Sequence, residues 1–198
     1  MSLYPNARFI TSAAEPKQLT ADVGREIAFA GRSNSGKSTV INALTQRTGL
    51  ARVSRTPGRT QLINFFELAP ERRLVDLPGY GYARVPEAVR ERWSRLLVHY
   101  FDKRASLVGL VLIVDSRRGL SDQDEAMLEW MRARDRRAHV LLTKADKLSR
   151  QEALRVERAT RGVLGPRGVT VQLFSAPAKL GIEEGRDLMD AWLAGGGD

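Results

Sequence analysis

Apolar positions along this chain fall into two alternating patterns. Continuous apolar runs occur at 26–31 (EIAFAG), 107–114 (LVGLVLIV), 138–143 (AHVLLT) and 169–174 (VTVQLF), and each reads as a buried strand. Two shorter runs, 61–68 (QLINFFEL) and 73–77 (RLVDL), read as two more strands. Between the runs, apolar residues recur at helical spacing. Val40, Ile41 and Leu44 mark a helix that starts near Lys37, and Val89, Trp93, Leu96, Leu97, Tyr100 and Phe101 mark one opened by Pro86. Ser121, with Asp124 three residues on, caps a helix whose apolar face is Met127, Leu128 and Met131. Ser149 and Glu152 form a capping box for the next, and a last helix covers about 183–193. Residues 50–60 carry Gly, Pro, Ser, Thr and Arg without an apolar period and read as a loop; Gly195–Asp198 reads as a frayed tail.

Strands that alternate with helices and are apolar on both faces predict an α/β fold, a mostly parallel six-stranded sheet with helices on both faces. No linker, repeat or low-complexity block interrupts the pattern, so one domain is expected over 1–198, with a short N-terminal extension, 1–24. In such folds ligands gather beyond the carboxyl ends of the strands.

Composition narrows the chemistry. The 198 residues contain no Cys, which excludes disulfides, thiolate metal sites and a cysteine nucleophile, and two His are too few for a His-rich metal site. Lys+Arg is 32 against 23 Asp+Glu, a net charge of +9, which favours polyanionic partners such as nucleic acid or ribosomes. No apolar run reaches the length of a membrane span and the N-terminus has no secretory pattern, so the cytoplasm is the expected compartment. Arg occurs 26 times and Lys only six, and two of those six, Lys37 and Lys144, lie in the motifs that follow.

Gly31-Arg32-Ser33-Asn34-Ser35-Gly36-Lys37-Ser38 matches G-x-x-x-x-G-K-S, the phosphate loop, between a strand and a helix N-terminus. Backbone N–H groups would cradle phosphate oxygens, Lys37 would add a charge at the β/γ phosphates, and the Ser38 hydroxyl is a hard ligand for Mg²⁺. Thr143-Lys144-Ala145-Asp146 matches [NT]-K-x-D. The Asp146 carboxylate can accept both guanine N1–H and the exocyclic amine, a pattern adenine lacks, and Lys144 would lie along the base. Asp76-Leu77-Pro78-Gly79 matches D-x-x-G, of which about one chance match is expected in such a chain. Its place at a strand end between the other two motifs decides for function: Asp76 would hold Mg²⁺ through water and the Gly79 N–H would meet the γ-phosphate. In the loop Arg55–Thr60, Thr60 is favoured over Thr56 as a second hydroxyl on Mg²⁺. Phe174-Ser175-Ala176, at the end of the last strand, is placed to give a backbone N–H to the base. Tyr80 follows the D-x-x-G turn, where a phosphate-loop hydrolase can place a Gln to orient water, so hydrolysis is expected to be slow without an activator. Asn34 suggests K⁺ beside the phosphates as one source of transition-state charge, and Arg59 or a ribosomal group is the alternative.

The segments GRSNSGKST, PGRTQLINFF, VDLPGYGYA, LLTKADK and FSA together resemble the EngB (YihA/YsxC) family of bacterial ribosome-biogenesis GTPases, over about residues 8–194. The resemblance implies a Ras-like P-loop GTPase domain with one antiparallel edge strand. It implies slow hydrolysis of GTP to GDP with Mg²⁺, and a monomer that acts on the rRNA and proteins of the large ribosomal subunit. It also implies a link to cell division and septation. By the same resemblance Gly31–Ser38, Gly58, Arg59, Thr60, Gln61, Leu62, Asp76–Gly79, Thr143–Asp146 and Phe174–Ala176 would contact nucleotide. Ser38, Thr60 and Asp76 would serve the metal, and Lys37, Thr60 and Gly79 the chemistry. Pro177 departs from the Lys that many GTPases carry there.

Two other classes remain as alternatives: a phosphate-loop kinase of a small acceptor, which would lack T-K-x-D, and an RNA-binding module with a structural nucleotide site. Arg155, Arg158 and Arg161 on one helical face, and Arg132, Arg134, Arg136 and Arg137 near a helix end, are the two candidate basic surfaces.

Overall fold

A computed structural model describes residues 3–51, 62–81, 87–165 and 168–195, without the side chains of 87–90, 92 and 93. In chain order the elements are β1 (Arg8–Ala13), β2 (Arg25–Gly31), α1 (Lys37–Thr45), β3 (Ile63–Ala69), β4 (Arg72–Asp76), α2 (Glu87–Lys103), β5 (Leu107–Asp115), α3 (Asp122–Arg132), β6 (Arg137–Thr143), α4 (Arg150–Leu164), β7 (Val169–Leu173) and α5 (Ile182–Ala194). The sheet has seven strands, ordered β1-β3-β4-β2-β5-β6-β7.

The seventh strand corrects the expectation of six. β1 lies within residues 1–24, where no element was expected, and pairs antiparallel with β3 from Arg8 opposite Glu67 to Ala13 opposite Ile63. Its pattern is hidden because Phe9 and Ile10 are exposed and only Ala13 is fully buried, so no period-two signal survives. The antiparallel strand is also not at the edge. β3 runs against both β1 and β4, and β1 covers it. The remaining neighbours, β4-β2-β5-β6-β7, pair in parallel.

Alternation along the central strands feeds two apolar layers. Leu110, Leu112 and Val114 of β5 join Ala28 and Ala30 of β2 against Leu96, Leu97, Tyr100 and Phe101 of α2 and Leu128 and Met131 of α3. Val111 and Ile113 of β5, with Ile27 and Phe29 of β2, face Val40, Ile41 and Leu44 of α1 and Met189, Trp192 and Leu193 of α5. Gly109 is required by this second layer: a Cβ there would sit 2.3 Å from the Trp192 ring. The expected caps form, since Ser121 with Asp124 and Ser149 with Glu152 each make a capping box. Pro86 lies outside the described residues.

The amino ends of the central strands are closed by ion pairs. Glu26 is fully buried and accepts from Arg73 Nε at 2.7 Å and from Arg104 Nε at 2.9 Å, and Arg104 also donates to Thr20 O at 2.6 Å. A buried carboxylate needs such partners to hold its charge away from water. At the opposite, carboxyl ends of β2, β4, β5, β6 and β7 lie Gly31, Asp76, Asp115, Thr143 and Phe174, the residues that open the site.

Candidate functional site

β2 ends at Gly31, and the chain turns through 32–36 into α1. Two residues of this turn have left-handed backbones, Asn34 with φ 65° and Gly36 with φ 100°. Gly36 is the N-cap of α1 and offers no side-chain cap, so the first N–H groups of the helix lack a side-chain acceptor at the cap. With the helix dipole these are the groups an anion needs.

Asp76 ends β4 and forms an ion pair with Lys37 Nζ. Asn64 Nδ2 also lies 3.5 Å from its other oxygen. Leu77 N–H returns to Phe29 O at 2.9 Å, so the turn Asp76–Gly79 leaves the sheet beside the phosphate loop. Gly79 lies so close to the loop that a Cβ would come within 3.6 Å of Gly31 O and Ser33 N.

The Thr143–Asp146 segment is bound to the same loop. Thr143 Oγ1 donates to Ser35 O at 2.6 Å. Lys144, left-handed at φ 59°, donates from Nζ to Asn34 O at 2.7 Å and to Asp115 Oδ2 at 2.9 Å. Ala145 N–H donates to Phe174 O at 3.2 Å, which joins this segment to the end of β7. Ser175 Oγ donates to Asp146 Oδ1 at 2.6 Å, and that bond is the main cause holding the Asp146 carboxyl below its ordinary range. Ser175 N–H is already donated to Leu180 O at 3.0 Å, so a donor for a base carbonyl must come from Ala176 rather than Ser175.

One residue of the site, Asp115, escapes the sequence reading. Asp115 is 5% exposed, is gripped by Arg117 at 2.9 and 2.7 Å as well as by Lys144, and is held well below the carboxylate range chiefly by the Arg117 hydrogen bond. The one signal for it was a charge that ends the otherwise apolar run LVGLVLIVD. The sequence reading also names Asp124 only as a cap of α3 and Tyr80 only by its position after Gly79; the structure pairs them, with the Tyr80 hydroxyl donating to Asp124.

Of the expected site residues, the structure brings together Gly31–Ser38, Asp76–Gly79, Thr143–Asp146 and Phe174–Ala176. Leu62 is exposed just before β3. Gly58, Arg59, Thr60 and Gln61 lie outside the described residues. Ser38 and Asp76 supply a hydroxyl and a carboxylate, hard oxygen donors that suit Mg²⁺. Among the described residues no group of three or more His, Cys, Asp or Glu could hold a metal. Mg²⁺ bound by one or two side chains, water and substrate phosphates requires no such cage.

Comparison with known proteins agrees with this geometry. A family described as "50S ribosome-binding GTPase" matches residues 26–144. "Probable GTP-binding protein EngB" of Aromatoleum aromaticum is 53% identical over 196 residues, 98% of this chain and 90% of that protein. The protein of the same name from Azoarcus sp. is 51% identical over 98% of this chain and 94% of its own length. A solved structure, "Crystal structure of a probable GTP-binding protein engB", superposes with a TM-score of 0.69 at 27% identity and covers 85% of this chain and 98% of that one. A bacterial selenocysteine-specific elongation factor, EF-Sec, shares the fold at 23% identity, with a TM-score of 0.62 over 87% of this chain and 29% of that one.

Proposed function

This chain belongs to the EngB family of GTP-binding proteins and hydrolyses GTP, and we propose that it uses that cycle as a switch in assembly of the large ribosomal subunit. The observation that carries the GTP site is the joining of motifs by Lys144, whose one ammonium links the base segment to Asn34 of the phosphate loop.

The same proposal gives each residue a role. Lys37, now paired with Asp76, would turn to the β/γ phosphates when nucleotide binds, and the Asp76 carboxylate would then serve the Mg²⁺ site. Ser38 and Thr60 would ligate Mg²⁺, which when bound neutralises developing phosphate charge. The Gly79 N–H would report the γ-phosphate, and Asp146, oriented by Ser175, would select guanine. Gly58, Arg59, Gln61 and Leu62 are proposed to complete the nucleotide contact, and K⁺ beside Asn34 to supply charge during hydrolysis.

Net charge supports the ribosomal reading, and the structure separates the two basic surfaces. Arg132 is engaged by Glu129 and Leu164 O, Arg134 by Asp102 and the Trp130 ring, and Arg136 by Arg104 O. Arg155 and Arg158 on α4 are exposed to solvent, whereas Arg161 is drawn to Glu157 and Val171 O. We therefore assign rRNA phosphates to the α4 face. Among the described residues no helix is long and apolar enough to cross a membrane. A cytoplasmic location and a monomeric state belong to the same proposal. A link to cell division and septation is carried as part of the same proposal.

Sedimentation with isolated ribosomal subunits tests it. Large-subunit binding is expected with a non-hydrolysable GTP analogue, to fall with GDP, and to weaken steeply with salt as counterions are released. Equal binding in both nucleotide states would leave the RNA-binding module with a structural nucleotide.

A further inference from the structure

Tyr80 follows the Asp76–Gly79 turn, at the place where a water-orienting side chain is common among related folds. Here the ring is 5% exposed and packs in the apolar layer that contains Leu77 and Leu128. Its hydroxyl donates to Asp124. A buried hydroxyl committed in this way cannot orient attacking water, so Tyr80 must act through its backbone or not at all.

The backbone of Tyr80 is held as firmly as its side chain. Ser33 N–H donates to Tyr80 O at 2.9 Å, and Tyr80 N–H approaches Gly31 O at 3.4 Å. The segment is thus a one-residue parallel bridge to the phosphate loop. Asp124 is fixed in turn, since its Oδ2 accepts Ser121 N–H at 2.8 Å and Ser121 Oγ at 2.6 Å at the start of α3. It also lines a cleft beside Arg32, Ser33 and Asp115, next to the phosphate loop. Gly79 therefore sits one residue from an anchor that runs from the loop through Tyr80 into α3.

We propose that Tyr80 and Asp124 are a positioning pair for γ-phosphate recognition: their hydrogen bond fixes the residue beyond Gly79 and so holds the Gly79 N–H against the phosphate loop. The proposal rests on the reading of this site as a GTP site. An anchored turn has less conformational freedom to lose when its N–H meets a phosphate oxygen. GDP has no γ-phosphate, so the anchor matters for GTP alone. Burial, with the Asp124 carboxylate beside it, pushes the Tyr80 phenol far above its ordinary range and keeps it a donor.

The test compares affinities for GDP and a non-hydrolysable GTP analogue in Tyr80→Phe and Asp124→Ala, with Ser149→Ala as the control. Ser149→Ala removes the same kind of cap from α4 and leaves Tyr80, Asp124 and Ser121 in place. Tyr80→Phe and Asp124→Ala are expected to bind the analogue about 5–10-fold more weakly, with GDP affinity within about twofold of wild type. Ser149→Ala is expected to lower Tm without changing the ratio. Tyr80→Phe removes one oxygen and is the variant that decides if Asp124→Ala does not fold. An unchanged GTP-to-GDP ratio in Tyr80→Phe, whatever happens to Tm, overturns the positioning role. Failure of the wild-type protein to bind either nucleotide would overturn the GTP site instead.

Discussion

Asp115 accepts a hydrogen bond from Lys144 at 2.9 Å, and the same ammonium donates to the Asn34 carbonyl at 2.7 Å. One carboxylate at the end of β5 thereby sets the distance between the base segment and the phosphate loop. Arg117 keeps that carboxylate charged.

Asp115→Ala should weaken GDP and GTP alike, because Lys144 loses its anchor without any loss of a γ-phosphate contact. The expected drop is roughly 10–100-fold, the range for a charge-assisted hydrogen bond. Calorimetric titration with each nucleotide measures it, and a loss confined to one nucleotide contradicts the role.

Asp146→Asn should move preference from GTP toward XTP. Ser175 can still donate to the amide oxygen, which leaves the NH₂ to face xanthine's carbonyl. GTP affinity is expected to fall by roughly 100-fold, about 3 kcal/mol, since donors on guanine are left unmatched. Competition among GTP, XTP and ATP reads this directly; an unaltered GTP preference would remove Asp146 from base recognition.

GTP hydrolysis should accelerate when K⁺ replaces Na⁺ at equal ionic strength, and Asn34→Ala should abolish the difference. The Lys144 bond to its carbonyl holds Asn34 in place within the phosphate loop. Identical rates in the two salts would point to Arg59 or the ribosome as the source of charge.

Stability should fall as pH drops from about 6.5 to 4 because of His139. Its Nε2 lies 3.0 Å from Gln172 Oε1, whose amide nitrogen is spent on Gly181 O, so Nε2 carries the proton and Nδ1 accepts from Thr170 at 2.6 Å. Burial, the largest cause, brings the folded pKa down to about 4. Between that value and the unfolded pKa of about 6.5, only the unfolded state takes up the proton, so stability is present above pH 6.5 and is lost on acidification. The loss reaches up to about 3 kcal/mol by pH 4. Asp22, Asp115 and Asp146, held below the usual carboxylate range, act at lower pH. Thermal melts across pH 4–7 should show a slope that His139→Asn flattens.

The phosphate loop was legible because its chemistry is local: glycines, a lysine and a hydroxyl at fixed spacing between a strand and a helix. The central strands were legible because burial on both faces leaves uninterrupted apolar runs, and Leu107–Asp115 differs from the sequence reading by one residue. β1 was not, since Arg8, Phe9 and Ile10 are exposed and lack alternation. The work of Asp115 and Asp124 was illegible for another reason. Asp115 faces Lys144 only through the β5–β6 register that pairs it with Thr143, and Asp124 meets Tyr80 across 44 residues of chain. Of the candidate cluster Arg132, Arg134, Arg136 and Arg137, the partners of the first three come from distant parts of the chain, so the sequence could not show them.

The place of β1 bears on how this protein can be cut down for experiments. A shortened chain that begins at Arg25 would keep the phosphate loop, the D-x-x-G turn and both base segments. It would also strip the outer edge of β3, leaving a row of unpaired backbone groups beside Phe65 and Phe66. Arg73 and Arg104 would lose the carbonyls of Thr20 and Ala21 that now hold them around Glu26. Such a minimal GTP-binding fragment should therefore express as aggregates, and Lys at the half-buried positions of the newly exposed edge strand, Asn64 and Glu67, should restore soluble yield more effectively than added nucleotide.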